Sequence, residues 1–278
     1  MFLLKPSIEV ITAVRYAYLL AALRFGIQLH AIVVMSNHVH IVATDPDGRL
    51  PAFMEEANRL ISRSLNAHYG RKESFWAPGS YTDQVCTSPE AALDRMVYTL
   101  TNPVKARLVP RVKQWPGWVT LPEELDGRLQ TARRPDFFYR EDGAAPAEVT
   151  GRFCPPPGFE HLTPEEFIEL LEERIREREA HFRKEYRGRF LGVRKVRRIR
   201  PFDCPSSREA LRTERPALAP RLVSELIAWV KELRFWRRQH REASRAYRAG
   251  DHSVVFPFGT YWMKHFSPAR VARAPAFT

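Results

Sequence analysis

Apolar residues recur at helical spacing along the first part of the chain. The run IEVITAVRYAYLLAALRF (8–25) repeats apolar side chains at helical spacing, and Gly26 follows it as a typical helix end. Residues 51–70 carry a second amphipathic pattern that begins near a proline and ends at a glycine. Residues 88–103 predict a third helix, which Pro103 should bring to an end.

Between the first two helices the pattern alternates instead. The runs LHAIVVM (29–35) and HVHIVAT (38–44) are rich in β-branched residues, and the dipeptide SN (36–37) between them suits a two-residue turn. The pattern therefore predicts a β-hairpin. Its second strand should carry His38 and His40 on one face, because alternate residues of a strand point the same way.

Beyond about residue 119 the texture of the sequence changes. Residues 119–160 are rich in proline and glycine and are typical of a linker. Residues 163–186 open with a capping box and predict a long charged helix, and residues 221–250 predict a second, basic and aromatic one. We therefore expect a folded domain over 1–118, the linker, and a basic, mostly helical extension over 161–278.

The charge balance is strongly basic. Of 278 residues, 44 are Lys or Arg and 32 are Asp or Glu, which gives a net charge of +12 and favours nucleic acid or an anionic membrane surface as partner. The longest apolar tract is broken by charges, so a membrane span is not expected. Three widely separated cysteines indicate neither a zinc knuckle nor a disulfide framework, and a reducing cytoplasm is the default.

The histidine pair is the first candidate for chemistry. Two imidazoles on one strand face can hold a divalent ion, although a polar pair on a solvent face is the ordinary alternative. Tyr98 precedes Asn102 by four residues, so both share one face of the third helix. If that face lies against the histidine strand, a hydroxyl and an amide oxygen join the imidazoles. A half-buried core tyrosine is the alternative reading of Tyr98.

The segments VVMSNHVHIV, FWAPGSY and YTLTNPVKARLV together resemble the single-tyrosine transposases of the HUH class, most closely the REP-associated branch. In that family a histidine-hydrophobic-histidine motif follows an M-[PS]-N turn, and the tyrosine motif comes roughly 60 residues later. Here the motif His38-Val39-His40 is followed by Tyr98, and the spacing from His40 to Tyr98 is 58 residues. The resemblance covers about residues 8–118.

The resemblance implies an α+β fold: a ferredoxin-like antiparallel sheet with helices on one face, followed here by the mostly helical C-terminal extension. Relatives usually carry a β-strand before the first helix, where this chain has only FLLKP (2–6). We therefore expect either a start upstream of Met1 or a truncated copy.

The resemblance also implies a metal-dependent DNA transposase. His38 and His40 match the ligands for Mg or Mn, and Asn102 takes the place of a third ligand. Tyr98 matches the nucleophile, which forms a 5′-phosphotyrosine link and lets the enzyme cut and rejoin single-stranded DNA. The ion's identity comes from the family, since imidazole alone would also suit zinc.

Basic and aromatic residues are the candidates for DNA contact. The predicted phosphate contacts are Arg59, Arg63, Lys105, Arg107, Arg194, Lys195, Arg197 and Arg198. Candidates for base stacking are Trp76, Tyr81, Trp115 and Trp118, for each of which core packing is the favoured reading.

Single-stranded or hairpin DNA is the expected partner, in the cytoplasm near the nucleoid, with a homodimer as one arrangement. A domesticated relative that binds such DNA without cutting it is the alternative function. A small-molecule metallohydrolase is a third, which a steep salt dependence of DNA binding would exclude.

Overall fold

The computed structural model describes residues 1–77, 82–205, 218–220 and 222–273. The α+β class and the helical C-terminal part are both confirmed. The helices are α1 (Ile8–Phe25), α2 (Leu50–Tyr69), α3 (Pro89–Leu100), α4 (Asn102–Lys105), α5 (Pro164–Glu185), α6 (Val193–Arg198), α7 (Val223–Arg248) and α8 (Tyr261–Phe266). The strands are β1 (Gln28–Val34), β2 (Val39–Thr44), β3 (Val85–Cys86), β4 (Gln130–Arg133), β5 (Glu148–Gly151), β6 (Leu218–Ala219), β7 (Val255–Phe256) and β8 (Arg270–Val271).

The first helix and the hairpin follow the sequence prediction. The Ser7 hydroxyl accepts a hydrogen bond from the Val10 amide at the start of α1, and Gly26 ends the helix in the left-handed conformation. β1 and β2 pair antiparallel, with Val33 opposite His40. The Met35 amide donates to the His38 carbonyl across the predicted two-residue turn. The hairpin therefore holds both histidines at one end of β2.

The helix that carries Tyr98 ends where its sequence predicts. The Ser88 hydroxyl accepts from the Ala91 amide at the start of α3, and Pro89 occupies the first turn. The helix stops at Leu100, and Pro103 opens the separate turn α4. α3 packs against both β1 and β2, which brings its Tyr98 face to the histidine strand.

The sheet differs in extent from the predicted ferredoxin-like one. Within the described residues, regular strand pairing at the site is limited to the β1–β2 hairpin. The other edge of β1 is covered by later chain, because Val34 donates to the Trp118 carbonyl at 2.8 Å and Cys154 donates to that of Leu29 at 3.1 Å. Every residue of β1 after Gln28 is buried, so both faces of the strand are covered rather than one.

The segment predicted as a linker is packed against the domain. Within 119–160, β4 and β5 form a hairpin that packs against α1. Phe153 is fully buried, and Val149 is 4% exposed. This packing gives no periodic signal in the sequence, because the buried residues of the segment stand singly among its prolines and glycines.

The helix α5 joins the extension to the same core. Its capping box is formed by Thr163 and Glu166, as predicted. Its buried residues Phe167, Leu171 and Ile175 recur every fourth position. They belong to the same hydrophobic core as Leu4 near the N-terminus. The three-part division of the chain stays a prediction, but its first and last parts share this core.

The C-terminal helix α7 confirms the second predicted long helix and is mostly exposed. The Trp236 indole on α7 donates to the Phe258 carbonyl, and Lys264 on α8 donates to the Asp47 carbonyl at 2.7 Å. Among the described residues, no helix is both long and apolar enough to cross a membrane.

The His30 side chain connects β1 to β2 and to the segment around Cys154 through two hydrogen bonds. Its Nδ1 lies 2.8 Å from the Cys154 carbonyl oxygen, and its Nε2 lies 2.8 Å from Thr44 Oγ1. Burial lowers the pKa of His30 to about 4, and the hydrogen bond to Cys154 opposes that shift only in part. The ring is therefore neutral in the folded protein at pH 7.

We expect the free energy of unfolding to fall as the pH is lowered from 6.5 towards the pKa of His30 near 4. In that window the unfolded chain binds a proton on His30 and the folded chain does not, at a cost of up to about 3 kcal/mol. Urea melts of the wild type and of His30→Gln between pH 7 and 4.5 measure this. The stability difference between the two proteins should shrink towards low pH, and parallel curves would contradict the assignment.

Candidate active site

The two predicted imidazoles converge at the end of the hairpin. Their Nε2 atoms lie 3.1 Å apart, with the rings at 89° to each other. His38 Nδ1 lies 2.7 Å from Asn37 Oδ1, an amide oxygen that can only accept. Nδ1 of His38 therefore carries the proton, and its Nε2 presents a lone pair towards His40.

The electrostatics keep His40 neutral. Burial lowers the pKa of His40 to about 4, and the nearby His38 and Lys105 lower it further in the same direction. An unprotonated imidazole has a lone pair for an ion, so His40 can act as a nitrogen donor at pH 7.

The distance between the two Nε2 atoms fits one shared ion. Two ligands bound at right angles at about 2.1 Å, the distance of octahedral Mg²⁺, lie about 3.0 Å apart. Tetrahedral ligands on zinc would lie about 3.3 Å apart. Among the described residues, no three His, Cys, Asp or Glu side chains are grouped so that they could hold a metal. Within the described part of the chain, a third protein ligand beside the two histidines would therefore be of another type, such as an amide oxygen.

Tyr98 lies against this pair. Its ring centroid is 6.1 Å from that of His40, at an interplanar angle of 83°. The Lys105 ammonium donates to the Tyr98 hydroxyl oxygen at 3.3 Å and lies 4.5 Å from the ring centroid. The Arg95 guanidinium lies 5.7 Å from the same ring. A phenol, two imidazoles and two cations thus meet at one place.

Asn102 is mostly occupied within its own helix turn. Its side-chain nitrogen donates to the Tyr98 carbonyl at 2.9 Å, and the residue is 8% exposed. The amide oxygen is the remaining atom of this side chain that can bind an ion. Its role as a third ligand stays a prediction.

The predicted DNA contacts on α2 lie apart from this group. Arg59 forms an ion pair with Glu56 at 2.7 Å, and the Arg63 guanidinium lies 5.9 Å from the Phe138 ring. The helix α2 packs against α1, whereas Tyr98 belongs to the helix that packs on the hairpin. The geometry therefore gives these two arginines no direct link to the phenol.

The basic run after residue 190 is fixed near both halves of the site. The Leu191 amide donates to the Arg107 carbonyl, a few residues beyond Lys105. On the other side, Phe2 donates to the Pro201 carbonyl and Leu4 donates to that of Ser36, in the hairpin turn. The exposed side chains of α6 are Arg194, Lys195, Arg197 and Arg198, while Val196 between them is fully buried. This arrangement aims the four cations at solvent.

Arg107 has a structural contact of its own. Its backbone is in the left-handed conformation, at φ 61°, which closes the turn after α4. Its guanidinium lies 4.3 Å from the centroid of the Tyr186 ring. Part of its charge therefore faces an aromatic side chain rather than solvent.

Core packing, the favoured reading, describes two of the aromatic candidates. Trp115 is 5% exposed and donates to the Val34 carbonyl, and Trp118 is 4% exposed and contacts Tyr18. Trp76 is half-buried, and its indole donates to the Asn58 carbonyl. Tyr81 lies outside the described residues.

Sequence reasoning missed the roles of Asn37 and Arg95. Asn37 was read only as a turn residue, yet its amide oxygen orients His38. Its position directly before the first histidine was the available signal. Arg95 precedes Tyr98 by three residues on the same helix face, a spacing that could have identified it.

Comparison with known proteins adds one result. Residues 8–97, about a third of the chain, match the family model described as "Transposase IS200 like". This segment is thus similar to the IS200-like transposases, which confirms the predicted resemblance at that level and supports a transposase-type function with DNA as partner. The match includes both histidines and ends one residue before Tyr98. Searches among curated proteins and among solved structures each returned no match.

Proposed function

We propose that this protein is a DNA transposase that cuts and rejoins single-stranded DNA through Tyr98, with a divalent metal. The observation that carries the proposal is the contact of the Tyr98 ring with His40, whose Nε2 converges with that of His38. The histidines lie in the segment that matches a transposase family, and the tyrosine is its immediate neighbour. Assignment to the REP-associated branch is part of the same proposal.

The cleavage step uses the phenol as nucleophile. The Tyr98 hydroxyl oxygen attacks the scissile phosphorus while the bond from phosphorus to the 3′ oxygen breaks. The phenol proton passes to solvent water, and the leaving oxygen takes up a proton. The products are a 5′-phosphotyrosine and a free 3′-OH, and attack by a 3′-OH reverses the reaction to rejoin strands. Lys105, 3.3 Å from the hydroxyl, stabilises the negative charge that develops there.

The metal would be held by His38 and His40, with the amide oxygen of Asn102 as a third protein ligand. When bound, it would supply positive charge to the phosphate oxygens. The preference for Mg or Mn over zinc comes from the family resemblance, since two imidazoles alone would also suit zinc.

The remaining predicted cations would bind the DNA backbone. Lys105 and Arg107 follow Tyr98 by seven and nine residues, and α6 presents four exposed cations nearby. Arg59 and Arg63 would contact more distant phosphates. A net charge of +12 suits such a partner. Hairpin substrates, a homodimer and a cytoplasmic, nucleoid-associated location belong to this proposal.

The test is a cleavage assay on pooled hairpin oligonucleotides labelled at either end, with and without Mn²⁺. We expect a protein–DNA adduct that survives a denaturing gel and forms only with metal. Tight DNA binding without any adduct would overturn the cutting step and leave a binding protein. The absence of salt-dependent DNA binding would overturn the transposase proposal altogether.

A further inference from the structure

A groove of about 480 Å³ runs between α3 and α5, and Tyr98 lines it. From α3 it is lined by Arg95 together with the tyrosine, and from α5 by Arg174, Arg178 and His181. The helix α5 lies outside the segment that matches the transposase family. A part of the extension therefore forms one wall of the space beside the nucleophile.

The helical repeat explains how α5 both enters the core and lines the groove. Its residues Leu171 and Ile175 are buried in the core, which fixes the rotation of the helix. Arg174 and Arg178 directly precede Ile175 and Glu179, which belong to the buried stripe of α5. Both arginines therefore project along the edge of this stripe towards α3. Glu179 anchors the same helix, because its carboxylate accepts a hydrogen bond from the Val112 amide at 2.6 Å.

The charges of the groove point to an anionic ligand. Three arginines line it, against the two carboxylates of Asp94 and Glu177. Among the described residues, Arg95, Arg174 and Arg178 make no ion pair within 4 Å. The guanidinium of Arg178 lies 5.0 Å from the Phe182 ring, so it is partly ordered before any ligand arrives. Cations without carboxylate partners are available to phosphate oxygens.

We propose that this groove holds a single strand of DNA next to the scissile phosphate, with Arg174 and Arg178 bound to its backbone. The inference rests on the proposed function, since Tyr98 at the edge of the groove is what places the strand there. It makes α5 a part of the substrate site, so the family-like segment alone lacks one wall of that site.

The test measures binding of a labelled, single-stranded hairpin oligonucleotide to full-length protein in a Tyr98→Phe background, by fluorescence anisotropy at several salt concentrations. We expect R174Q/R178Q to bind roughly 10- to 100-fold more weakly. The slope of log K against log salt should fall by about 1.4, since each phosphate contact to a single strand contributes about 0.7. R174K/R178K keeps both charges and should retain most of the affinity.

Arg176 provides the matched control. It is on the same helix but faces a different surface, among Glu169, Glu172 and Glu173. R176Q should bind within about twofold of the parent, because it removes the same charge from outside the groove. An equal loss in R176Q and in each of R174Q and R178Q would overturn the groove and indicate a general charge effect.

The two proposals fail differently. Unchanged affinity and salt slope in a folded R174Q/R178Q protein would overturn the groove, while a metal-dependent adduct in the wild type would keep the proposed function. Weaker binding in R174Q/R178Q without any wild-type adduct would support the groove as a DNA surface and overturn strand cutting.

Discussion

Replacing Tyr98 by phenylalanine should abolish the covalent protein–DNA adduct, by at least about a thousandfold, because the nucleophile of the reaction is removed. The phenyl ring keeps the edge-to-face contact with His40, whose centroid is 6.1 Å away. Only the hydroxyl and its hydrogen bond from Lys105 are lost. Thermal stability and DNA affinity should therefore stay close to the wild type. The measurement is the adduct on a denaturing gel, with binding followed in parallel by anisotropy.

Tyr69 is the matched control for the loss of a phenol. Its hydroxyl is buried and has no hydrogen-bond partner among the described residues, and it lies on α2 rather than α3. Tyr69→Phe should leave adduct formation unchanged. If Tyr98→Phe still forms the adduct at the wild-type rate, another side chain is the nucleophile.

The local elements were predictable because their signals are local. The Ser7 cap and the left-handed Gly26 directly flank the helix that they bound, and Gly26 ends it as predicted. The same holds for the turn between Met35 and His38, which brings two imidazoles to one end of the hairpin. Periodicity shows which face of such an element is apolar.

Long-range partners were not predictable, because periodicity does not say what covers an apolar face. The hydrophobic run of β1 indicates a buried strand, but nothing local shows that Trp118 and Cys154 lie along its edge. For the same reason the Pro/Gly-rich segment read as a linker, although Phe153 within it is fully buried. Its packing depends on α1, more than a hundred residues away along the chain.

The candidate site was likewise predictable only in part. The resemblance led to the two histidines and the tyrosine, and the structure brings their rings together. The groove that flanks Tyr98 could not be predicted, since Arg174 and Arg178 read as ordinary charges on an amphipathic helix. Their placement follows from how Leu171 and Ile175 enter the core, which is a tertiary contact.

Removing the imidazole pair should abolish metal-dependent cleavage while DNA binding in the absence of metal persists. In His38→Ala/His40→Ala we expect no adduct at any Mn²⁺ concentration up to millimolar. The two Nε2 atoms, 3.1 Å apart, belong to the imidazole pair whose His40 ring contacts that of Tyr98. Manganese binding by electron paramagnetic resonance or calorimetry gives a readout that is independent of cleavage.

The Asn37→Ala variant tests whether Asn37 orients the His38 ring, as distinct from the binding of the metal by the histidines. Without the amide oxygen 2.7 Å from His38 Nδ1, the ring loses a contact that fixes its orientation and tautomer, so metal affinity should fall by roughly 10- to 100-fold rather than vanish. His68→Ala removes an exposed imidazole on α2 and should change neither quantity. The loss of metal affinity should therefore be largest in the double variant, smaller in Asn37→Ala and absent in His68→Ala. A double variant that binds Mn²⁺ as tightly as the wild type would place the ion elsewhere and leave the histidines a role in packing against Tyr98.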